Sequence, residues 1–161
     1  MAGALPGAQH LQNIYPLVVH FPLAFLYGAA ILYFLAWVAG RDSWAWTALW
    51  LLALGTLGAA AAAGTGLHGA EGVMLARSVK EHLLIPHKRI MLGVLALSVS
   101  LTAWALGARP APARGRAAFM LLLLVLLGLM TWGADYGGRM VYDYNAGGQA
   151  CMQDQPIEFS R

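Results

Sequence analysis

The chain has 161 residues, of which 60% are hydrophobic and 11% are charged, and its formal net charge is +3. A soluble globular domain carries about a quarter charged residues, so this composition excludes an ordinary soluble protein. The ten Lys and Arg residues lie around the ends of apolar segments, which is typical of membrane interfaces. They form no dense basic face of the kind that binds nucleic acid.

Four segments without Asp, Glu, Lys or Arg are each long enough to cross the hydrocarbon core, which takes about 20 apolar residues in a helix. Their continuous apolar runs lack the alternation of a barrel strand, so we expect helices. The predicted spans are residues 16–39, 44–67, 87–106 and 117–136. Because no Lys or Arg precedes Arg41, we expect the first span to be retained and not to be a signal peptide.

The connections between the spans indicate the topology. Those at 41–42 and 107–116 are short, whereas 69–86 is a longer polar segment. Short connections join antiparallel neighbours, so the sequence predicts an all-α fold, an integral membrane up-down four-helix bundle. The bundle occupies residues 16–144, between an N-terminal arm (1–15) and a C-terminal tail (145–161).

Small residues recur in the second span at about one-turn spacing, namely Gly55, Gly58, Ala61, Ala62 and Gly64. Small residues let membrane helices approach closely, so we expect a packing seam here, although they would also make room for a flat ligand.

Four spans place both termini on one side of the membrane, which we call side one, together with segment 69–86. Side two holds four arginines in two short loops: Arg41, Arg109, Arg114 and Arg116. Since Lys and Arg in short loops mark the cytoplasmic face, we expect both termini outside, which in a bacterial inner membrane is the periplasmic side.

All five histidines lie on side one. Ionisable residues within spans are costly and are therefore candidates for function. His20, His87 and His68 are predicted at similar depths, whereas His10 and His82 are expected to be ordinary interfacial residues. Two facing imidazoles suit haem b with a histidine on each axial face. Ala24 and Gly28 would leave a slot beyond His20, and the propionates would meet three cations: Lys88, Arg89 and Arg139.

A bare copper or zinc ion is the alternative ligand of the same layer. It needs three or four donors, which His20, His87 and His68 would supply together with Asp135 or Glu71. Covalent c-type haem is excluded, because Cys151 is the only cysteine and no Cys-x-x-Cys-His motif occurs.

Residues 15–24, Tyr-Pro-Leu-Val-Val-His-Phe-Pro-Leu-Ala, resemble the start of a widespread family of uncharacterised bacterial membrane proteins, domain of unknown function 2231, marked by a Val-His-Phe-Pro motif. That family tends to end its second helix in Thr-Gly, to begin its third with a histidine and to finish its fourth with Gly-Gly-x-x-Val-Tyr. The matching residues here are Thr65-Gly66, His87 and 137–142, and the resemblance covers roughly residues 15–147.

The resemblance implies the fold, and it implies that His20 and His87 matter, since both stand at histidine positions of the family. Two positions depart from the family pattern. Tyr15 replaces the opening histidine, and the acidic residue that often follows Thr-Gly is replaced by His68 or displaced to Glu71. Members of the family often accompany cytochrome-type domains, which implies a redox association.

The leading hypothesis is a haem b-binding electron-transfer protein with His20 and His87 as axial ligands near the outer face. Independent catalysis is not expected, because no nucleophile–base pair, phosphate loop or acid pair occurs within the spans. A cofactor-free accessory subunit of a larger membrane complex is the first alternative, and the copper or zinc protein is the second. The partners considered are the lipid bilayer, cytochrome or other redox subunits, and a second copy of the chain.

Overall fold

The computed structural model describes residues 18–69 and 76–144. Within them the chain forms four helices: α1 (His20–Ala39), α2 (Asp42–Gly69), α3 (Arg77–Ala108) and α4 (Arg116–Tyr142). Each helix is long and apolar enough to cross a membrane, and the described residues contain no strand. The predicted all-α, four-helix membrane fold is therefore confirmed.

Two helices extend well beyond the predicted spans. α3 begins at Arg77, so residues 77–86, which we expected in a polar connection, are helical. α4 continues past Tyr136 to Tyr142, which makes the whole Gly-Gly-Arg-Met-Val-Tyr motif helical. Hydropathy marks only the part of a helix that matches the hydrocarbon core, whereas the polar turns of the same helix reach into the headgroup region.

A π-helical turn, Lys80–Leu84, carries α3 past Pro86. Proline has no N–H, and its ring clashes with the carbonyl four residues earlier, so a regular α-helix is strained at that point. The Ile85 N–H bonds the Lys80 carbonyl, five residues back, and the wider turn lets the helix continue. α3 is therefore one helix whose first two turns are rotated relative to the remainder.

The helices pack in the cyclic order α1–α2–α3–α4, with the closest packing inside the hairpins α1–α2 and α3–α4. α1 and α3 thus lie on a diagonal of the bundle. The interior is filled by fully buried apolar side chains, including Leu26, Leu52, Leu101, Leu123 and Leu126. Trp50, Leu57 and Leu124 cover the outside, as expected of a surface in contact with lipid.

The predicted seam of small residues on α2 is real over only half its length. A Cβ at Gly55 would lie 2.8 Å from the Leu26 side chain, and one at Gly58 would lie 3.1 Å from Cδ of Pro22. These two glycines therefore bring α1 close to α2. Ala61 is exposed and no other described residue approaches the Cβ position of Gly64 within 4 Å, whereas Ala62 is buried, so beyond Gly58 the seam continues only at Ala62.

Hydroxyl groups link the helices within the apolar interior. Thr56 of α2 and Thr102 of α3 share a hydrogen bond of 2.9 Å, and the Thr102 hydroxyl lies 2.8 Å from the Ser98 carbonyl. Outside the interior, at an exposed position, the hydroxyls of Tyr27 of α1 and Thr131 of α4 share another hydrogen bond. Such bonds hold membrane helices together where burial alone provides little drive.

The side-two end is closed by interlocked rings. Phe119 is fully buried and meets Tyr33 and Trp104 edge to face, with centroids 5.1 and 5.6 Å away. The Tyr33 hydroxyl donates to the Pro110 carbonyl at 3.0 Å, which fastens the α3–α4 loop to α1. Gly115, at φ +82°, begins α4 against the Trp104 ring. This end therefore has little space for a ligand.

Candidate functional site

The candidate site at the side-one end centres on His87, which is only 9% exposed. Its Nδ1 lies 2.8 Å from the backbone carbonyl oxygen of Gly133 on α4. A carbonyl can only accept a hydrogen bond, so Nδ1 carries a proton. A histidine that ligates a metal through Nε2 commonly donates its Nδ1–H to a backbone acceptor in this way, which orients its ring.

Two glycines of α4 make room for this contact. A Cβ at Gly137 would lie 3.2 Å from Cε1 of His87. One at Gly133 would collide with Met91 and press on Ile90 at 3.0 Å. Since neither glycine has a side chain, α3 approaches the main chain of α4 closely enough for an imidazole to bond it.

His20, the first residue of α1, is exposed. Its helix lies diagonally opposite α3, and the hydrogen bond and close approach of the His87 ring described above are with α4. The bundle interior is filled by buried side chains such as Leu26 of α1 and Met130 of α4. The structure thus places both histidines at the side-one end without enclosing them in a common slot inside the bundle.

The small residues expected to form that slot have different surroundings. Ala24 is exposed, whereas a Cβ at Gly28 would lie 3.3 Å from the Leu51 side chain of α2. Their four-residue spacing puts them on neighbouring parts of one helix face, but α2 covers that face only at Gly28. Ala24 and Gly28 do not line a shared internal space.

The expected cationic partners differ in their surroundings. Lys88 is half-buried and Arg89 is exposed, both directly after His87 on α3. Arg139 of α4 forms an ion pair of 2.9 Å with Asp135, one turn earlier on the same helix. Arg139 therefore already has an anionic partner, whereas Lys88 and Arg89 form no ion pair with another described residue.

The residues proposed for a bare metal ion are not gathered into one cluster in the described part of the chain. Over 18–69 and 76–144, no three His, Cys, Asp or Glu side chains converge on a point that would hold a metal ion. His68 and His82 are exposed. His10, Glu71 and Cys151 lie outside the described residues.

Sequence reasoning missed the backbone partner of His87. A carbonyl acceptor has no side-chain signature, and only the one-turn spacing of Gly133 and Gly137 opposite a histidine hinted at it. It also missed the π turn, whose one signal was Pro86 within a run that otherwise favours a helix.

A bundle of four helices, each long and apolar enough to cross a membrane, defines a class: multi-pass α-helical membrane proteins. The chain belongs to the family described as "Predicted membrane protein (DUF2231)", whose family model matches residues 11–150. The family expected from the resemblance is thereby confirmed. No curated protein and no solved structure matches the chain.

Proposed function

We propose that this protein binds haem b at its side-one end and passes single electrons, with His87 as one axial ligand and His20 as the other. The observation that supports this most directly is the hydrogen bond between Nδ1 of His87 and the Gly133 carbonyl. It places a proton on Nδ1 and orients the ring, so that Nε2 is the atom that would ligate haem iron in such a site.

The packed interior restricts where a porphyrin would lie. Because buried side chains such as Leu26 and Met130 fill the bundle interior, the position that remains is the rim of the bundle at side one. The exposure of His20 suits a porphyrin with one edge toward lipid. Lys88 and Arg89, which follow His87, are the cations we assign to the propionates.

The chemistry of such a site is divided between the cofactor and the chain. Haem iron supplies the one-electron couple when it is bound. His87 and the Gly133 carbonyl set the direction and basicity of the ligand, and burial of the ring excludes water. We propose a cytochrome or another redox subunit of the membrane as the electron partner.

A visible spectrum before and after dithionite, taken on protein purified from its native membrane, tests the proposal. We expect a Soret band that His87→Ala and His20→Ala each abolish or shift. His10→Ala is the control and should leave the band unchanged. A colourless native protein, or a Soret band that is unchanged in both His87→Ala and His20→Ala, contradicts haem ligation by these residues.

The second candidate is a cofactor-free subunit of a larger membrane complex. The bond from His87 to Gly133 favours it too, because this bond satisfies one polar group of the buried ring and ties α3 to α4. Stoichiometric partners that co-purify with a colourless, metal-free protein would favour this candidate. Copper or zinc in elemental analysis, with no porphyrin iron, would favour the metal-binding alternative at His20, His87 and His68.

We place the protein in the bacterial inner membrane with both termini in the periplasm, on the strength of the arginines in the side-two loops. Cys151, the only cysteine, provides the test. An impermeant maleimide should label it in intact spheroplasts. In a Cys151→Ser background, the variant Arg114→Cys should be labelled only after permeabilisation. The reverse labelling pattern would mean that both termini lie in the cytoplasm.

A further inference from the structure

A groove of ≈ 240 Å³ separates the first turns of α3 from the last turn of α4 at the side-one end. Its polar lining consists of Ser78, His82, Arg139, Asp143 and Tyr144, and its apolar lining consists of Val79 and Leu83. Ligand sites for drug-sized molecules span about 300–1,000 Å³, so this groove suits a smaller polar group.

The α4 wall of the groove presents a cation and an anion one turn apart. Arg139 is positioned by its ion pair with Asp135, and its guanidinium has five N–H donors, more than one carboxylate engages. Asp143 follows four residues later, directly after the helix. The α3 wall adds the hydroxyl of Ser78 and the imidazole of His82 as further hydrogen-bonding groups.

We infer that this groove binds the headgroup of an aminophospholipid. Arg139 contacts the phosphate, since guanidinium matches phosphate geometry, and Ser78 and His82 donate to the same group. Asp143 accepts from the primary ammonium. A zwitterionic headgroup complements a wall that carries one charge of each sign better than a purely anionic group does.

The position of the groove identifies a lipid as the source of the headgroup. The groove lies at the ends of two helices that are both long and apolar enough to cross a membrane. Val79, only 8% exposed, and Leu83 form an apolar floor where the glycerol and the first acyl carbons begin. This assignment is independent of haem binding, because it uses neither His20 nor His87.

Native mass spectrometry of the detergent-purified full chain, titrated with dioleoylphosphatidylethanolamine or dioleoylphosphatidylcholine, tests the inference. Arg139→Gln should weaken binding of both lipids about tenfold, the usual effect of losing one charge-assisted hydrogen bond. Asp143→Asn should weaken the ethanolamine lipid more than the choline lipid, because both lose the attraction of the carboxylate charge but only the primary ammonium also loses a charge-assisted hydrogen bond. If Arg139→Gln fails to fold, Ser78→Ala, at an exposed position on the opposite wall, takes its place and should also weaken binding of both lipids.

Arg77 provides a matched control. Like Arg139 it pairs with an acid four residues away, Glu81 at 2.9 Å, but it lies outside the groove lining. Arg77→Gln should leave both affinities unchanged. Equal losses in Arg77→Gln and Arg139→Gln, or an unchanged preference between the two lipids in Asp143→Asn, would overturn the site. Competition by soluble glycerophosphoethanolamine at equal concentration would overturn the lipid as its source.

Discussion

The two ends of this bundle are built in opposite ways. At side two, Tyr33, Phe119 and Trp104 interlock, and Tyr33 bonds the backbone of the α3–α4 loop. At side one, Gly133 and Gly137 open space for an imidazole that bonds the backbone directly. At side two, large side chains hold the helices together. At side one, glycines let an imidazole contact the main chain of the neighbouring helix, so this end carries a polar contact.

Phe119→Ala should give the largest loss of stability, because it empties a fully buried position and breaks two edge-to-face contacts. We expect the free energy of unfolding in mixed micelles to fall by about 3 kcal/mol. His87→Ala should cost clearly less, since that end is not held by interlocked rings. A larger loss of unfolding free energy in His87→Ala than in Phe119→Ala would contradict the contrast between the two ends.

Gly133→Val tests the open end by overfilling it. The new side chain would press on Ile90 at 3.0 Å and displace the flexible end of Met91, so we expect a loss of about 2 kcal/mol and a shift of α3 that lengthens the bond from His87 to the carbonyl. Gly128→Val on the same helix is the control, because that glycine is exposed and no other described residue lies near its Cβ position. Equal losses in both variants would show that helix propensity, and not the close approach, explains the result.

Tyr33→Phe isolates the bond that fastens the loop at side two. It leaves the ring contact with Phe119 in place and removes only the hydroxyl that donates to Pro110. The expected loss is about 1 kcal/mol in the same unfolding assay. No loss would mean that the rings alone hold this end.

The threonine pair in the middle of the bundle should give the smallest effect. A double-mutant cycle with Thr56→Val and Thr102→Val should measure a coupling near 0.6 kcal/mol, the average for such bonds in a membrane protein. If the two single substitutions have additive effects on the free energy of unfolding, the hydrogen bond of this pair does not help to join the two hairpins.

Hydropathy predicted the four helices because each must present an apolar surface about as long as the bilayer is thick. It could not predict the start of α3 at Arg77, since a polar helical turn at the interface resembles a loop in composition. The spacing of His20, Ala24 and Gly28 correctly placed them along α1, but spacing does not tell which neighbour covers each one. Leu51 of α2 proved to be the neighbour of Gly28.

Because of the π turn at Lys80–Leu84, the direction in which the side chains before it face depends on the number of residues in the turn as well as on their type. Deleting one residue there would restore regular α geometry and swing everything before it by about 100° around the helix axis. Ser78 would then face away from Arg139 while His87 kept its place. An insertion or deletion in this turn would therefore change which side chains face the groove at the side-one end without altering the packed interior of the bundle.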